Sequence, residues 1–378
     1  MIDRRNTASL KWGRYPNRDV IPLWVADMDF ASPAAVIEAL HRRVDHGVFG
    51  YGVAPLPLVE TVIGMLERDY GWKVEPDWII WLPGLVSALN ATCRTAGHQG
   101  DEILTATPVY PPFLTAPKLM DRRLLTVELV QDNGRWVFDF DRLAAAITPQ
   151  TRMFILCNPH NPTGRVYTKE ELITLHRILS EQDVLICSDE IHCQLILDAD
   201  KRHLPLASLV PDPGRGLITL MAPSKTYNLP GLGCSFAVIA EPALRQRFRR
   251  SMQGIVPPVN VLGYTAALAA YGDRSGWLTD LIDYLRENRD CVANAIGRMP
   301  GLAMSHIEAT YLAWIDARKS GIPDPASFFE QAGVGLSDGL DFGSPGFLRL
   351  NFGCPRALLQ TALARMQKAL EHLHRQIL

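Results

Sequence analysis

The sequence predicts an α/β protein, a mostly parallel sheet with helices on both faces, followed by a smaller α+β unit. Three observations predict it. Short, continuously apolar runs (DWIIWLP, EILTATP, RRLLTVEL, RMFILCNP, DVLICSDE, GLITLMAP, CSFAVIA) recur between residues 77 and 240. The stretches between them, such as TKEELITLHRILSEQ, carry apolar residues at helical spacing. Beyond about residue 255 long helical segments dominate. Strands that are apolar along their whole length need both faces covered, and helical connections make neighbouring strands parallel.

Taken in order, the first helix is expected over SPAAVIEALHRRVDHG, with Ser32 as N-cap, Pro33 at the first helical position and Gly47 closing it. LVETVIGMLERDYGW forms a second helix, and the strand-helix alternation comes after it. VNVLGYTAALAAYG, GWLTDLIDYLRENRDCVANAIGRM and CPRALLQTALARMQKALEHLHRQ supply the later helices, with short strands before the last. The expected division is an N-terminal segment (1–45) joining the small domain, a large domain (46–255) and a small C-terminal domain (256–378).

Composition narrows the function classes. A chain of 378 residues holds two domains comfortably. It is 47% hydrophobic and 21% charged, ordinary globular values that exclude disorder. Thirty-eight Lys+Arg against 40 Asp+Glu give a net charge of -2, which argues against a nucleic-acid partner. No apolar stretch reaches the roughly 18 residues of a membrane helix, and the charged start MIDRRNTASLKW has no secretory apolar region. The expectation is a cytoplasmic protein with no membrane partner. Seven cysteines without a CxxC or zinc-finger spacing read as reduced structural thiols, with no metal site.

In open parallel sheets ligands bind beyond the carboxyl ends of the strands. The residues just past each apolar run are therefore informative. EILTATP leads to Val109-Tyr110, RMFILCNP to His160-Asn161-Pro162-Thr163-Gly164, DVLICS to Asp189-Glu190-Ile191-His192, and LITLMAP to Ser224-Lys225. An aromatic ring, an amide, a carboxylate with a nearby imidazole and a lysine would thus share one rim. Singly, each has a structural reading: a solvated lysine, helix-capping acids, a turn, a core aromatic. As a set they meet the needs of pyridoxal phosphate: a lysine for the Schiff base, a carboxylate for the pyridinium nitrogen, a donor for the ring hydroxyl, a ring to stack. The turn Pro83-Gly84-Leu85-Val86-Ser87 after WIIWL would open a helix whose backbone N–H groups suit a phosphate.

The chain resembles fold-type I pyridoxal-phosphate enzymes of the class I/II aminotransferase group, on HNPTGRVYTKEEL, SDEIH and APSKTYNLPGL in that order. More narrowly it resembles the carbon–sulfur lyase branch, the cystathionine β-lyase (MalY/PatB-type) family, on DRRNTASLKW, LWVADMDF, HGVFGYG, PVYPPF and LRLNFGCPR. The resemblance implies Lys225 as Schiff-base lysine and proton shuttle, Asp189 at the pyridinium nitrogen, and Asn161 at the ring hydroxyl. It places His192 near that hydroxyl, where many aminotransferases have tyrosine, and Tyr110 stacked on the ring. The Val86 and Ser87 amides and the Ser224 hydroxyl would hold the phosphate, and Arg349 the substrate carboxylate. Tyr51 would reach the phosphate of a partner subunit, implying a homodimer.

Two departures stand out: Gly233 where related aminotransferases have a phosphate-binding arginine, and Pro111 where some lyases have a second tyrosine. The implied activity is α,β-elimination of cystathionine or a related L-cysteine S-conjugate to thiol, pyruvate and ammonia. The alternatives are an aminotransferase, a sulfoxide lyase with the same elimination chemistry, and a cofactor-retaining regulatory protein using the Arg245, Arg247, Arg249, Arg250 cluster, which otherwise reads as a solvated helix face. Phe30, Tyr15, Trp24 and Tyr311 could line a side-chain pocket or belong to the core.

Overall fold

A computed structural model describes residues 2–210 and 215–377. All seven expected apolar runs are strands of one sheet: β1 (Ile79–Leu82), β2 (Glu102–Thr107), β3 (Arg123–Glu128), β4 (Thr151–Cys157), β5 (Leu185–Asp189), β6 (Leu217–Met221) and β7 (Ser235–Val238). Their spatial order is β1-β7-β6-β5-β4-β2-β3. β7 runs antiparallel to both β1 and β6, and the remaining pairs are parallel. The carboxyl ends of β1, β2, β4, β5 and β6 therefore lie along one edge.

Burial on both faces follows the two-residue period of a strand. In β4, Phe154 and Leu156 join the apolar core on one side, while Met153, Ile155 and Cys157 join the core on the other. The helix Lys169–Ser180 covers one face through buried Leu172, Leu175 and Leu179. Its start is fixed by a capping box, in which Thr168 and Glu171 satisfy each other's backbone N–H groups. The helix Leu85–Thr95 covers the other face through Leu85, Ala88, Leu89 and Ala91. Among the described residues no helix is long and apolar enough to cross a membrane.

A second core lies in a smaller unit built on a four-stranded antiparallel sheet: β8 (Ala303–Met304), β9 (Leu312–Asp316), β10 (Ser337–Asp338) and β11 (Phe347–Asn351). The N-terminal segment belongs to it, because Ile21–Pro22 pairs parallel with Val334–Gly335 and Leu23, Ala26 and Met28 enter this core. Two details move the expected boundaries. The helix Val261–Gly272 sits in the large core through Tyr264, Ala266, Ala267 and Ala270. The helix Ala34–Asp45 packs against it and buries Val36 in the same core. On that packing we propose that the small unit begins after Gly272, not at 256, and that the joining segment stops before Ala34.

The helix expected first spans Ala34–Asp45, one residue shorter at its start than expected, and a single helical turn, Leu10–Gly13, precedes it. Pro33 is the N-cap and makes no side-chain cap bond. Ser32 is not the cap, because its hydroxyl donates to the Asn228 carbonyl at 3.3 Å. Gly47 does end the element in the left-handed region (φ 75°). All seven cysteines are free, and all but Cys291 are buried.

Candidate active site

Four strand ends and one helix start deliver side chains to a cavity of about 370 Å³. Asp189 ends β5. Lys225 and Ser224 follow β6, and Asn161 lies four residues past β4. Tyr110 follows β2, and Gly84 through Ser87 follow β1 at the start of the helix Leu85–Thr95. Arg349 reaches in from β11 of the small unit. All of these residues and His192 line the one cavity. Tyr51 does not: it is fully exposed and stands with exposed Val44, Val48, Phe49, Val53 and Leu56.

The electrostatics are those of deeply buried groups. Burial pushes the Asp189 carboxyl up to about 7, against the pull of an Ile191 N–H bond (3.1 Å) and of Lys225. Burial, reinforced by Arg349, brings the Lys225 ammonium down to about 8. Its Nζ donates to the Ala26 carbonyl at 2.7 Å. Burial, with Lys225 and Arg349 nearby, lowers His192 to about 3, so its ring is neutral, and its buried Nδ1 has no hydrogen-bond partner.

Arg349 is held on several sides. It donates to Asn161 Oδ1 at 3.1 Å and to the Trp24 carbonyl at 2.8 Å, and it lies over the Phe342 ring at 4.7 Å. Its Nε is buried without a partner. At the helix start, the Val86 and Ser87 N–H groups precede the first one that donates within the helix (Ala88, to the Gly84 carbonyl), and both residues line the cavity.

The two departures have structural reasons. Gly233 is in the left-handed region (φ 56°), and a Cβ there would stand 2.7 Å from the Pro83 carbonyl oxygen. An arginine does not fit that backbone. Lys225 and Arg349 are the only cationic side chains among the described cavity-lining residues. Pro111 caps the helix Pro112–Leu119 and does not reach the cavity.

Tyr15, Trp24, Phe30 and Tyr311 do not line the cavity. Tyr311 donates to the Ala26 carbonyl at 3.0 Å, and Trp24 contributes its backbone oxygen to Arg349. In the arginine cluster, Arg245 is tied to the Ile239 and Ala240 carbonyls, and Arg247, Arg249 and Arg250 are exposed. A larger depression of about 800 Å³ lies against the N-terminal arm. Its arginines Arg4, Arg5, Arg18 and Arg365 are each already paired with a carboxylate.

Sequence reasoning missed two features. The acceptors around the site are backbone carbonyls of Trp24 through Asp27, which no side-chain motif can signal. Glu190 turns away from the cavity into a fully buried contact with His203 (2.7 Å), and it accepts from Ser188 Oγ and the Leu206 N–H. Its partner lies 13 residues away and carries no motif of its own.

A cavity at the carboxyl edge of a mostly parallel sheet, with a lysine, a buried acid and an arginine from a second unit, defines a class. The chain matches the aminotransferase class I and II family over residues 18–366 and belongs to that family. Its fold is the fold-type I of pyridoxal-phosphate enzymes. Within the family, relatives named cystathionine beta-lyase match at 31–37% identity and aspartate aminotransferases at 26%. Cystathionine beta-lyase PatB of Bacillus subtilis is 37% identical over 97% of this chain and 98% of that protein. The solved structure of OvoB is 48% identical, covers 98% of each chain and superposes with a TM-score of 0.96. Cystalysin from Treponema denticola, whose structure contains pyridoxal 5'-phosphate, is 34% identical over 98% of each chain, with a TM-score of 0.94.

Proposed function

We propose that this chain is a pyridoxal-phosphate-dependent β-lyase that cleaves the Cβ–S bond of an L-cysteine S-conjugate of the cystathionine type. Substrate and one water become a thiol, pyruvate and ammonia. The observation that carries the reading is the convergence of Lys225, Asp189, Asn161 and Arg349 on one cavity, in a chain that shares more identity with relatives named cystathionine beta-lyase (31–37%) than with aspartate aminotransferases (26%).

The residues fit the cofactor. Asp189 is a buried carboxyl whose charge needs a cation beside it, which a protonated ring nitrogen supplies. His192 Nδ1 is a buried polar atom without a partner, at the cavity wall. The Val86 and Ser87 amides and the Ser224 hydroxyl offer donors to a phosphate. Lys225 would carry the aldehyde, Asn161 would hold the ring hydroxyl, and Tyr110 would stack on the ring.

Bound there, pyridoxal phosphate supplies an aldehyde for the substrate amine and a ring that draws off the electrons released at Cα. The protein's own groups do the rest. Arg349 grips the α-carboxylate and so fixes which Cα bond faces Lys225. Lys225, brought down to about 8, is neutral in about a tenth of molecules at pH 7, against well under a hundredth for an ordinary lysine, and takes the Cα proton. Anionic Asp189 keeps the ring nitrogen protonated while that happens. The small unit and its N-terminal segment cover the cavity through Val25 and Ala26 and limit access of water.

A homodimer completes the proposal. The exposed apolar strap Val44, Val48, Phe49, Val53 and Leu56 suits a second copy, and Tyr51 on that strap would reach the partner's phosphate site. The test is a panel of cysteine thioethers and S-oxides, cystathionine included, assayed for keto acid with and without a keto-acid acceptor. Pyruvate without an acceptor, lost in Lys225→Ala, is expected. A strict need for the acceptor would replace the reading with transamination.

A further inference from the structure

The segment from Trp24 to Phe30 meets both cationic groups of the cavity through its backbone carbonyls. Lys225 Nζ donates to Ala26 O (2.7 Å), and Arg349 donates to Trp24 O (2.8 Å). The Tyr311 hydroxyl also donates to Ala26 O, at 3.0 Å. A carbonyl orients an amine only if its own peptide plane is fixed, so the question is what fixes this one.

Asn351 answers it. Its carboxamide Nδ2 donates to Val25 O (2.6 Å) and to Asp27 O (2.7 Å), one residue to either side of Ala26. Its Oδ1 accepts from the Gly353 N–H (2.8 Å), and its own N–H donates to Leu23 O (2.8 Å). The side chain is fully buried, and every polar atom of the amide is used. The Asp27 N–H closes a tight turn onto Val25 O (3.0 Å), with Ala26 at its centre. With the carbonyls on both sides tied to Asn351, that of Ala26 is the one left to face Lys225. Asn228 grips the next stretch through Met28 N–H, Met28 O and Phe30 O, each at 2.9 Å. The two amides therefore clamp one strip of backbone from opposite ends.

We propose that Asn351 is a positioning residue: by straddling Val25 O and Asp27 O it fixes the Ala26 carbonyl as the acceptor that receives the Lys225 amine whenever that amine is free. The inference rests on Lys225 being the cofactor-bearing base. When Lys225 takes the Cα proton, it becomes an ammonium in the cavity, and an aimed carbonyl stabilises that charge. The other groups facing Lys225 are Asp27, Asp189, His192 and Arg349. Of these, Asp27 alone is hydrogen-bonded to Asn351, through its own carbonyl (2.7 Å).

The test reads the lysine directly in the cofactor-free protein. Competitive labelling with trace acetic anhydride across pH, followed by peptide mapping, gives the titration midpoint of Lys225. In Asn351→Ala the ammonium loses its acceptor, so the midpoint is expected to fall by about one pH unit, a tenfold loss of basicity. In the loaded enzyme kcat is expected to fall at least about tenfold, with its acidic limb displaced to lower pH by the same amount. If Asn351→Ala does not fold, Asn351→Ser, which keeps one donor, carries the same measurement with a smaller shift in the same direction. Tyr311→Phe removes the competing donor on Ala26 O and leaves the Asn351 bonds in place. Its midpoint is expected at or above the parental value.

A midpoint within 0.2 of the parent's in whichever Asn351 variant folds would overturn the proposal, however far stability had dropped. So would an equal fall in Tyr311→Phe. Failure of the underlying reading looks different: Lys225→Ala would then still bind the cofactor covalently and still turn over.

Discussion

Gly233 is the position where a single methyl group should report on the phosphate end of the cavity. Its left-handed backbone (φ 56°) costs an L-residue about 1–2 kcal/mol. The added Cβ would also lie 2.7 Å from Pro83 O, against 3.4 Å for an ordinary contact, so one side must yield by roughly 0.7 Å. Retreat has little room, because Gly263 packs against this turn without a side chain: a Cβ added to it would stand 2.6 Å from Leu232 O and 3.2 Å from Gly233 O. The displacement therefore falls on Pro83, two residues before the helix Leu85–Thr95 whose first residues line the cavity.

Gly233→Ala is expected to lose about 2–3 kcal/mol in denaturant unfolding of the apoprotein, combining the backbone cost with a modest overpacking penalty. Cofactor affinity, read by absorbance titration, is expected to weaken about tenfold through the shifted helix start, a loss of about 1.4 kcal/mol. Gly231 is the control: a Cβ there meets nothing within 4 Å, and Gly231→Ala should change stability by less than about 0.5 kcal/mol. A Gly233→Ala protein as stable as its parent, or a Gly233→Arg protein that binds cofactor more tightly, would refute the reasoning.

Arg349→Lys cannot keep both the Asn161 and Trp24 bonds while offering a fork to a carboxylate, so KM should rise about 10–100-fold with cofactor still bound; an unchanged KM in steady-state kinetics contradicts this. Asp189 binds its proton up to about 7 when folded and only to 3.8 when unfolded, so it makes apoprotein stability fall as pH rises between those values, whereas His160 and His192, both lowered to about 3 from 6.5, make it rise. Asp189→Asn removes the opposing proton, and its unfolding free energy should climb more steeply than the parent's between pH 4.5 and 6.5, by about 1.4 kcal/mol per unit; parallel curves would count against it. Mixing Tyr51→Ala with Lys225→Ala should restore about a quarter of parental activity, because half the dimers are hybrids and each hybrid holds one intact site of two; no gain on mixing places Tyr51 outside the partner's site.

The large sheet was legible because its central strands hold continuous apolar runs, as in MFILC and LITLM, and because their breaks fall at chemically distinctive residues; the edge strand RLLTVE is mostly unburied. The rim followed from topology: once the strands were parallel, Asn161, Asp189 and Lys225 had to share an edge. Three things escaped. The helix Val261–Gly272 is apolar all round, so its period could not say which core it joins, and only its contacts with the helix Ala34–Asp45 do. Ser32 has the chemistry of an N-cap, but its hydroxyl is drawn to Asn228, nearly 200 residues away in sequence. The Asn351 amide reads as one more polar residue in LRLNFG, and its meaning depends on where the carbonyls of Val25 and Asp27 point.

On the proposed function, a charge balance says what a second copy would add to the site. A phosphate brings about 1.5–2 negative charges and a substrate carboxylate one more. Arg349 answers the carboxylate, and Lys225 must be neutral to accept a proton. Gly233 holds a turn that admits no guanidinium. What remains for the phosphate within one chain is a hydroxyl and a helix start equivalent to about half a charge. Further donors must then come from outside the chain. In the proposed dimer Tyr51, fully exposed beside exposed Val48, Phe49 and Val53, would supply one of them. If so, cofactor retention and dimerisation are linked equilibria: whatever loosens the strap must also loosen the phosphate, even with every residue of the cavity unchanged.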